Sequence, residues 1–385
     1  MGKEKIAIVS AVPETILAFM SKHLQALVGE YSTYTVCSNA INIPKERLIP
    51  DVEYIDIPIE RKISLFKDLV SLIKLICFFR FNQFTLVQSI TPKAGLLSML
   101  AAWICRVPIR VHVFTGQVWI TRSGFSRWYL KGFDRLISAL ATSLLTDSPS
   151  QKQFLVAEGV VKARDIQVLG DGSICGVDTF RFKPNEEAKK KVRSQLGIPE
   201  EATVALFMGR LKIDKGVLDL ARAFGAPHPE LANLYVVFVG PDEESLSNKI
   251  LELTKPKSNQ VRFVGSVNNP EDLFAAADFL CLPSYREGFG LVIIEAAAVG
   301  IPTLASRIYG ITDAVIDGVT GILHEPGDLT GIAEGLRLMT MHPKDRQLMG
   351  EAAQKRALEL FPTSRIVGAQ LSYYQSLIQN YRSHA

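Results

Sequence analysis

The 385-residue chain is poor in cysteine, and the arrangement of its cysteines excludes two kinds of stapled protein. Its five cysteines are odd in number and scattered, without a C-x-x-C pair. This pattern favours a reducing compartment and speaks against a disulfide framework or a structural zinc site. The six histidines are isolated and lack the spacing of metal ligands. We therefore expect no metal cofactor.

Long hydrophobic runs are also missing. A spanning helix needs roughly 18 uninterrupted apolar residues, and the best candidate, residues 63–79, is broken by Lys67, Asp68 and Lys74. The apolar run at residues 6–9 is too short for a signal peptide. We expect a cytoplasmic protein that does not cross a membrane.

Glycine is absent where a dinucleotide-binding dehydrogenase needs it. Such an enzyme carries G-x-G-x-x-G directly after its first strand. Here the first predicted strand, residues 6–10, leads into Ala11, Val12, Pro13 and Glu14. The sequence gives no support to a dehydrogenase.

The length and the alternation of elements predict two α/β domains, each with a doubly wound parallel sheet. We expect boundaries of 1–175 and 176–362, with a connection over residues 171–184. A final amphipathic helix, 363–385, is expected to pack back toward the first domain. The other predicted strands are residues 34–37, 84–89, 109–114, 144–147, 203–208, 235–239, 261–264, 279–283 and 303–305.

The net charge of +4 is unevenly distributed. Residues 61–140 contain 12 lysines and arginines against two acids, Asp68 and Asp134. The rest of the chain is therefore acidic. Only the first half is expected to meet an anionic partner.

Residues 284–302 place a glycine-rich turn before an apolar helix. Every residue from 291 to 299 is apolar except Glu295, and Glu287 lies on the turn. A buried glutamate is costly unless something hydrogen-bonds to it. Gly288 and Gly290 leave amides bare at a helix N-terminus, which favours anions and hydroxyl-rich ligands. This arrangement suits a sugar and a diphosphate.

Residues 207–216 end a strand and open a helix, the place where ligands of parallel sheets collect. Arg210 offers a planar fork for phosphate oxygens, and Lys215 brings a compact charge. Together they could neutralise a diphosphate; the alternative is two solvated loop charges.

Several motifs follow one another in the second half. They are G-R-L-x(3)-K-G from Gly209, V-G-P-D from Val239, R-F-V-G from Arg262 and E-G-F-G-L-x(3)-E-A from Glu287, then residues 310–313 and 318–323, with residues 176–182 before them all. Their order resembles the retaining glycosyltransferases of the GT-B fold, of the family 4-like type that builds bacterial polysaccharides and lipid-linked oligosaccharides. The resemblance implies two Rossmann-like domains facing across a cleft, the first for the acceptor and the second for a nucleotide-sugar donor.

The same resemblance implies roles for individual residues. Arg210 and Lys215 would hold the donor diphosphate, Glu295 the ribose hydroxyls, and Glu287 the transferred sugar. Arg210, Lys215 and Glu287 are the catalytic candidates, and the donor-binding set is Gly209, Arg210, Lys215, Gly265, Ser266, Val267, Glu287, Gly288, Phe289, Gly290, Leu291 and Glu295. The structural alternatives are a charge paired to a neighbouring helix for Glu295 and a helix cap for Glu287.

The chain contains no D-x-D triplet, the paired acids with which many glycosyltransferases chelate Mg²⁺. Positive side chains and helix-terminal amides are expected to replace the ion. We therefore expect metal-independent transfer. The resemblance implies retention of configuration, by front-face attack assisted by the departing phosphate. No general base is evident.

The first half departs from the family pattern. Thr115 stands where a histidine usually precedes glycine, and His112 is either its displaced equivalent or an ordinary strand residue. The acceptor-side candidates are His112, Thr115, Gly116 and Arg122.

Two basic amphipathic segments favour contact with a membrane interface. Residues 61–81 place apolar side chains at helical spacing between Lys62, Lys67, Lys74 and Arg80. Residues 119–135 interleave Trp119, Phe125, Trp128 and Tyr129 with Arg122, Arg127, Lys131 and Arg135. The alternative for each is a core helix with a solvated rim. Nucleic acid is not expected as a partner, because no nucleic-acid motif is present.

The sequence therefore predicts a retaining glycosyltransferase, peripheral on the inner face of the cell membrane. It would move a hexose or N-acetylhexosamine, with a UDP donor favoured and a GDP donor open, to a polyprenyl-diphosphate-linked sugar. The alternatives are transfer to a soluble acceptor, a nucleotide-sugar epimerase on the same scaffold, and a silent nucleotide-sugar-binding protein.

Overall fold

A computed structural model describes residues 3–60, 64–255 and 257–384. The chain divides into two compact units: Met1–Cys175 with Thr363–Ala385, and Gly176–Pro362. This division falls at the residues where the sequence placed its boundaries.

The first unit is built on a seven-stranded sheet in the order β3-β2-β1-β4-β5-β6-β7. All neighbouring strands are parallel, with Ile6 of β1 opposite Thr33 of β2 and Leu86 of β4. The central strands are almost wholly buried, as in parallel sheets covered on both faces. The strands are β1 (Lys5–Val9), β2 (Ser32–Cys37), β3 (Val52–Asp56), β4 (Leu86–Ile90), β5 (Ile109–Phe114), β6 (Ser143–Thr146) and β7 (Ile166–Val168).

Two layers of helices cover this sheet. On one face α4 packs between α3 and α5, while α2 lies on the other. The helices are α1 (Pro13–Thr15), continued by a π-helical segment over Ile16–Met20, then α2 (Ser21–Glu30), α3 (Leu65–Asn82), α4 (Pro92–Ile104), α5 (Gly124–Leu140) and α6 (Pro149–Ala157).

The second unit has a six-stranded parallel sheet in the order β10-β9-β8-β11-β12-β13. Its strands are β8 (Thr203–Met208), β9 (Leu234–Val239), β10 (Val261–Gly265), β11 (Phe279–Leu282), β12 (Thr303–Ser306) and β13 (Gly321–His324). Its helices are α7 (Glu186–Gln195), α8 (Val217–Gly225), α9 (Ser247–Leu253), α10 (Pro270–Ala276), α11 (Leu291–Val299), α12 (Ile311–Ala314), α13 (Leu329–Met341) and α14 (Pro343–Leu360). The strand order reverses between β8 and β11, so their carboxyl ends form the topological switch point where open α/β sheets bind ligands.

The last helix, α15 (Thr363–His384), belongs to the first unit. Tyr374 and Ile378 are buried in the core beside α2. Gln370 Nε2 donates to Gln88 Oε1 of β4 at 3.1 Å, and the Tyr374 hydroxyl donates to the same oxygen. The helix thus completes one face of the first sheet.

In the part of the chain that the structure describes, no helix is both long and apolar enough to span a bilayer.

Candidate active site in the second unit

The site begins where β8 ends. Gly209 has a φ of 155°, and a Cβ on Gly240, at the end of β9, would lie 2.0 Å from the Gly209 carbonyl oxygen. The absence of a side chain on Gly240 lets these two strand ends approach closely. Arg210 follows at the mouth of the sheet, where its Nη1 lies 3.2 Å from Glu243 Oε2. Arg210 is therefore half-exposed and tethered to an acidic side chain.

Gly216 brings the loop after β8 (residues 209–216, the β8 loop) against the loop after β11 (residues 283–290, the β11 loop). Its φ is 70°, and a Cβ at this position would lie 2.0 Å from the Pro283 carbonyl oxygen. Only glycine fits so close to the neighbouring backbone. The contact places the 3-10 turn over Ile213–Lys215 beside residues 283–290.

Lys215 and Glu287, predicted separately, form an ion pair. Lys215 Nζ donates to Glu287 Oε1 at 2.6 Å, and Ser284 Oγ donates to the same oxygen at 2.9 Å. Each charged side chain is 15% exposed, so the pair is largely shielded yet reachable. The residue at the N-cap of α11 is Gly290, without a side-chain cap. The helix-cap alternative for Glu287 is therefore wrong.

The N-terminus of α11 lies directly beyond this pair. Gly290 adopts a φ of 78° at the N-cap, and a Cβ on Gly310 would lie 2.5 Å from the Gly288 carbonyl oxygen. Phe289 is buried against Phe361, with ring centroids 5.1 Å apart. Leu291 opens the helix, whose amide end carries partial positive charge. The turn is thus held firmly, with its backbone dipoles beside Glu287.

Glu295 lies one turn into α11 and is half-buried rather than fully buried. Desolvation raises the pKa of Glu295 to about 7, although the charge of Arg181 opposes this shift and that of Glu271 adds to it. Arg181 itself is bound to Glu271 at 2.8 Å. Within the described residues no ion pair to Glu295 is present, so the expected alternative of a charge paired to a neighbouring helix is not observed. The carboxylate keeps its hydrogen-bonding capacity for a ligand.

The predicted base-framing residues lie at the end of β10. Gly265 has a φ of 68°, and its carbonyl oxygen accepts a 2.8 Å hydrogen bond from the Gly240 amide. Ser266 is exposed, and Val267 packs partly against the core. This segment therefore follows the strand that pairs with β9, on the same edge of the sheet as Arg210.

Sequence reasoning missed the side chains that join the two loops. Tyr285 donates its hydroxyl hydrogen to Asp219 Oδ2 at 2.7 Å, and Arg286 Nη2 donates to Asp214 Oδ2 at 3.0 Å. Ser284, described above, belongs to the same group. In the sequence Asp214 directly precedes Lys215, and Asp219 follows it by four residues. These acidic residues close to a predicted site lysine were the sequence feature that could have indicated the contacts.

His112, an acceptor-side candidate, is a structural residue of the first unit. Its side chain is 1% exposed in the middle of β5. Its Nδ1 shares a 2.8 Å hydrogen bond with Ser89 Oγ, and a Cβ on Gly95 would lie 2.4 Å from its ring. Burial lowers the pKa of His112 to about 3, so the ring is neutral. This burial corrects the acceptor-side assignment of His112, because the ring has no access to a ligand.

The other acceptor-side candidates lie after β5. The Thr115 carbonyl oxygen accepts hydrogen bonds from Gln117 Nε2 at 2.7 Å and from Gln151 Nε2 at 2.8 Å. Thr115 and Gly116 are half-buried, and Arg122 is exposed. The carboxyl edge of the first sheet therefore presents Thr115, Gly116 and Arg122, but not His112.

Helix α3 exposes an apolar ridge. Leu65, Leu69, Ile73, Cys77 and Phe81 recur every four residues and are all exposed. The opposite side of the helix fills the core with Leu75 and Phe79. The core-helix alternative thus accounts for only one side of α3. Arg61, Lys62 and Ile63 of the predicted segment lie outside the described residues.

The second predicted membrane segment, residues 119–135, contains both exposed aromatic side chains and side chains that bind within the first unit. Phe125 and Trp128, at the start of α5, are 75% and 67% exposed. Trp119 is fully buried, and its Nε1 donates to Asp134 Oδ2 at 2.7 Å. Arg127 and Lys131 bind Glu158. Trp119, Arg127 and Lys131 therefore stabilise the first unit, which corrects their assignment to a membrane surface.

Across residues 3–60, 64–255 and 257–384, no group of three or more histidine, cysteine, aspartate or glutamate side chains is placed to hold a metal ion.

Comparison with known proteins identifies the family. Residues 188–356 match the family model of glycosyl transferases, group 1. The capsular polysaccharide biosynthesis glycosyltransferase CapM of Staphylococcus aureus is 30% identical over 326 residues, which cover 84% of this chain and 85% of that protein. The chain belongs to the group 1 glycosyltransferases.

Other relatives of this glycosyltransferase agree with that assignment. D-inositol 3-phosphate glycosyltransferase of Streptomyces avermitilis is 33% identical over 263 residues, covering 64% of this chain and 54% of that protein. Among solved structures, Anabaena Alr3699/HepE in complex with UDP and glucose has a TM-score of 0.79 at 20% identity, covering 97% of this chain and 99% of that one. The glycosyltransferase WaaG has a TM-score of 0.73 at 18% identity, covering 95% and 99%. The predicted GT-B fold is confirmed.

Proposed function

We propose that this glycosyltransferase moves a hexose or N-acetylhexosamine from a UDP-linked donor, with retention, to a polyprenyl-diphosphate-linked sugar. The observation that carries the proposal is the Lys215–Glu287 pair, which joins the carboxyl ends of β8 and β11 at the N-terminus of α11. A cation, a carboxylate and helix amides at one switch point suit a diphosphate bonded to a sugar.

The proposed donor pose assigns each group a task. Lys215 and Arg210 neutralise the diphosphate as it leaves, and Glu287, released from Lys215, accepts hydrogen bonds from the transferred sugar. Glu295 accepts them from the ribose, and residues 265–267 frame the base. HepE, with the same fold, has been crystallised with UDP and glucose, which supports a UDP donor.

Transfer without a metal ion is part of the proposal. Two fixed cations and the α11 dipole stabilise negative charge on the leaving diphosphate, the task that Mg²⁺ performs in other enzymes. Turnover is expected to persist in EDTA, as measured by release of UDP. Loss of turnover in EDTA, restored by Mg²⁺ or Mn²⁺, would contradict this step while leaving the donor site intact.

The lipid-linked acceptor and the peripheral location on the inner face of the membrane rest on the first unit. Helices α3 and α5, both packed on α4, expose Leu65, Phe66, Leu69, Phe125 and Trp128. Exposed apolar and aromatic side chains within a strongly basic region match an anionic bilayer. The similarity to CapM, named for capsular polysaccharide biosynthesis, supports an acceptor in surface polysaccharide assembly.

Calorimetry and product analysis test the donor and the acceptor. The protein is titrated with UDP, UDP-GlcNAc, UDP-GalNAc, UDP-Glc and UDP-Gal, and products are then analysed with and without a polyprenyl-diphosphate sugar. Transfer only with the lipid acceptor supports the proposal. Transfer to a soluble sugar alone, an epimerised nucleotide sugar without acceptor, or binding without turnover would each replace it by one of the alternatives.

Vesicle flotation tests the membrane surface. Binding to vesicles containing phosphatidylglycerol is expected, with much weaker binding to pure phosphatidylcholine. Leu69→Ser with Phe125→Ser should reduce binding at least tenfold. Leu348→Ser, at an apolar residue of α14 that is also exposed, is the matched control and should bind like the unaltered protein. Equal binding by all three proteins would contradict the proposal that the exposed side chains of α3 and α5 bind the membrane.

A further inference from the structure

Three consecutive residues of the β11 loop bind side chains of the β8 loop and α8. Tyr285 contacts Asp219 at 2.7 Å, Arg286 contacts Asp214 at 3.0 Å and Glu287 contacts Lys215 at 2.6 Å. The Tyr285 amide also donates to the Asp214 carbonyl oxygen at 3.0 Å. Two ion pairs on adjacent residues thus connect the same two segments.

The two ion pairs have different fates in the proposed reaction. Lys215 and Glu287 must separate when a nucleotide sugar enters, since the diphosphate takes the cation and the sugar takes the carboxylate. Without another link, the two loops would lose their main charged contact at that moment. Asp214 and Arg286 lie next to Lys215 and Glu287 in the sequence, and their ion pair can stay closed when the first pair opens.

We propose that Asp214 and Arg286 are positioning residues that hold the β8 and β11 loops together while Lys215 exchanges Glu287 for the donor diphosphate. The inference rests on the proposed function. It adds to the donor site a lasting link between the two loops, the Asp214–Arg286 ion pair, which we call the latch. The latch keeps the backbones of the two loops at a constant separation, so that the Glu287 carboxylate stays in place for the sugar while the Lys215 side chain turns to the diphosphate. It therefore matters more for binding the sugar of the donor than for binding its nucleotide.

The surroundings of the pair support this role. Arg286 and Asp214 side chains are 18% and 22% exposed, so water and salt screen their attraction less than at a surface pair. Burial disfavours the charge on Asp214, yet Arg286, Lys215 and Lys212 hold the pKa of its carboxyl below the ordinary value. Asp214 Oδ1 is buried without a hydrogen-bond partner in the described chain. The shielded position therefore suits an ion pair that must persist while its neighbour opens.

The test compares Kd values for UDP and for the UDP-sugar that the unaltered protein binds best, in Arg286→Met, Arg286→Lys and Asp214→Asn. In Arg286→Met and Asp214→Asn the Kd of the UDP-sugar should rise at least tenfold, whereas the Kd of UDP should rise less than threefold. The kcat should fall in the same two variants. Arg286→Lys keeps the charge and should recover part of the loss. Arg337→Met, which breaks an exposed pair with Glu334 on α13, is the control and should leave both Kd values unchanged.

The outcomes separate this inference from the proposed function. Failure of the unaltered protein to bind any UDP-sugar would reject the proposed donor. The latch alone would be rejected if Arg286→Met and Asp214→Asn bound the UDP-sugar as tightly as the unaltered protein does. An equal rise in both Kd values would also reject it, because it would indicate general loosening. Should Arg286→Met fail to fold, the ratio of the two Kd values in Asp214→Asn and Arg286→Lys decides.

Discussion

At the scale of single residues, the site depends on carboxylates held in unusual surroundings. Glu287 is neutralised by Lys215, whereas Glu295 has no such partner among the described residues, and desolvation raises its pKa to about 7. A hydroxyl-rich ligand can supply the hydrogen bonds that this carboxylate lacks. The two acids of one loop and helix are therefore prepared for different tasks.

Glu295 should make donor binding depend on pH. If the ribose hydroxyls bind the ionised form, the proton must leave first, so the Kd of the UDP-sugar should rise up to about tenfold for each pH unit below 7. A UDP-sugar is the suitable probe because its diphosphate diester does not titrate in this range. Glu295→Gln should weaken binding about tenfold at pH 8 and give a flat profile; a pH dependence that survives this substitution would contradict the assignment.

The stability of Glu295→Gln provides an independent check. Because the pKa of Glu295 in the folded protein lies above the value of an unfolded chain, the folded state binds more protons. Stability therefore falls as the pH rises from about 4.5 to 7. Thermal unfolding at pH 8 should show Glu295→Gln at least as stable as the unaltered protein, so a weaker Kd would not reflect unfolding.

Lys215→Ala should lower turnover severely. It removes the cation that we propose binds the leaving diphosphate, and the loss of one such stabilising group typically costs on the order of 100-fold to 1,000-fold in kcat. Lys249→Ala removes an exposed lysine that pairs with Glu252 on α9 and is the control, with unchanged kcat. Kinetics of Lys215→Ala close to those of the control would discredit the site.

At the scale of elements, glycines set the distance between loops. Gly216 is the position where the β8 loop touches the backbone of Pro283, and Gly240 performs the same task between the ends of β8 and β9. No side chain larger than hydrogen fits there. These contacts, together with the switch point between β8 and β11, bring Lys215 to Glu287.

Gly216→Ala should therefore damage both stability and donor binding. The Cβ would meet the Pro283 carbonyl oxygen at 2.0 Å, and the left-handed backbone disfavours alanine, so a loss of about 3 kcal/mol or more in the free energy of unfolding is expected. Gly318→Ala is the matched control, because Gly318 has a similar φ of 73° but a Cβ there meets nothing within 4 Å. Chemical denaturation measures both; equal stability of the two variants would show that the loops can move apart.

At the scale of the whole molecule, the chain leaves its first unit, builds the second, and returns with α15. The helix supplies Tyr374 and Ile378 to the core of the first unit, and Arg365 pairs with Asp171 at 2.7 Å. The second unit has its own core, formed by residues between Val177 and Phe361. The two units therefore depend differently on the last 23 residues.

Removing residues 363–385 should destabilise the first unit and spare the second. Loss of two fully buried side chains exposes the α2 face of the sheet, at a cost of at least about 4 kcal/mol. Scanning calorimetry should then resolve a new transition at lower temperature, while UDP still shifts the transition of the second unit. A single transition, unshifted from that of the full chain, would contradict this division.

Much of the fold could be predicted from the sequence because central parallel strands are nearly continuous apolar runs. The ranges 109–114 and 203–208 were predicted to the residue. The edge strand β3 was missed because none of its five residues is fully buried and two of them, Glu53 and Asp56, are exposed. Strand β7 was missed because it has only three residues. The position of Trp119 was predicted wrongly for another reason. An aromatic residue between basic residues gives the same sequence pattern whether its side chain lies in the core or on the surface.

The order of motifs along the chain was enough to predict the family and the two parallel sheets, and it made Arg210, Lys215, Glu287 and Glu295 the candidate site residues. These features depend on local spacing and on glycines at strand ends. The tertiary structure alone decided which charges meet. It paired Lys215 with Glu287 and Asp214 with Arg286 across 72 residues of sequence, and it enclosed His112 in the core. Partners and burial arise from packing between distant segments, on which the spacing along one segment carries no information.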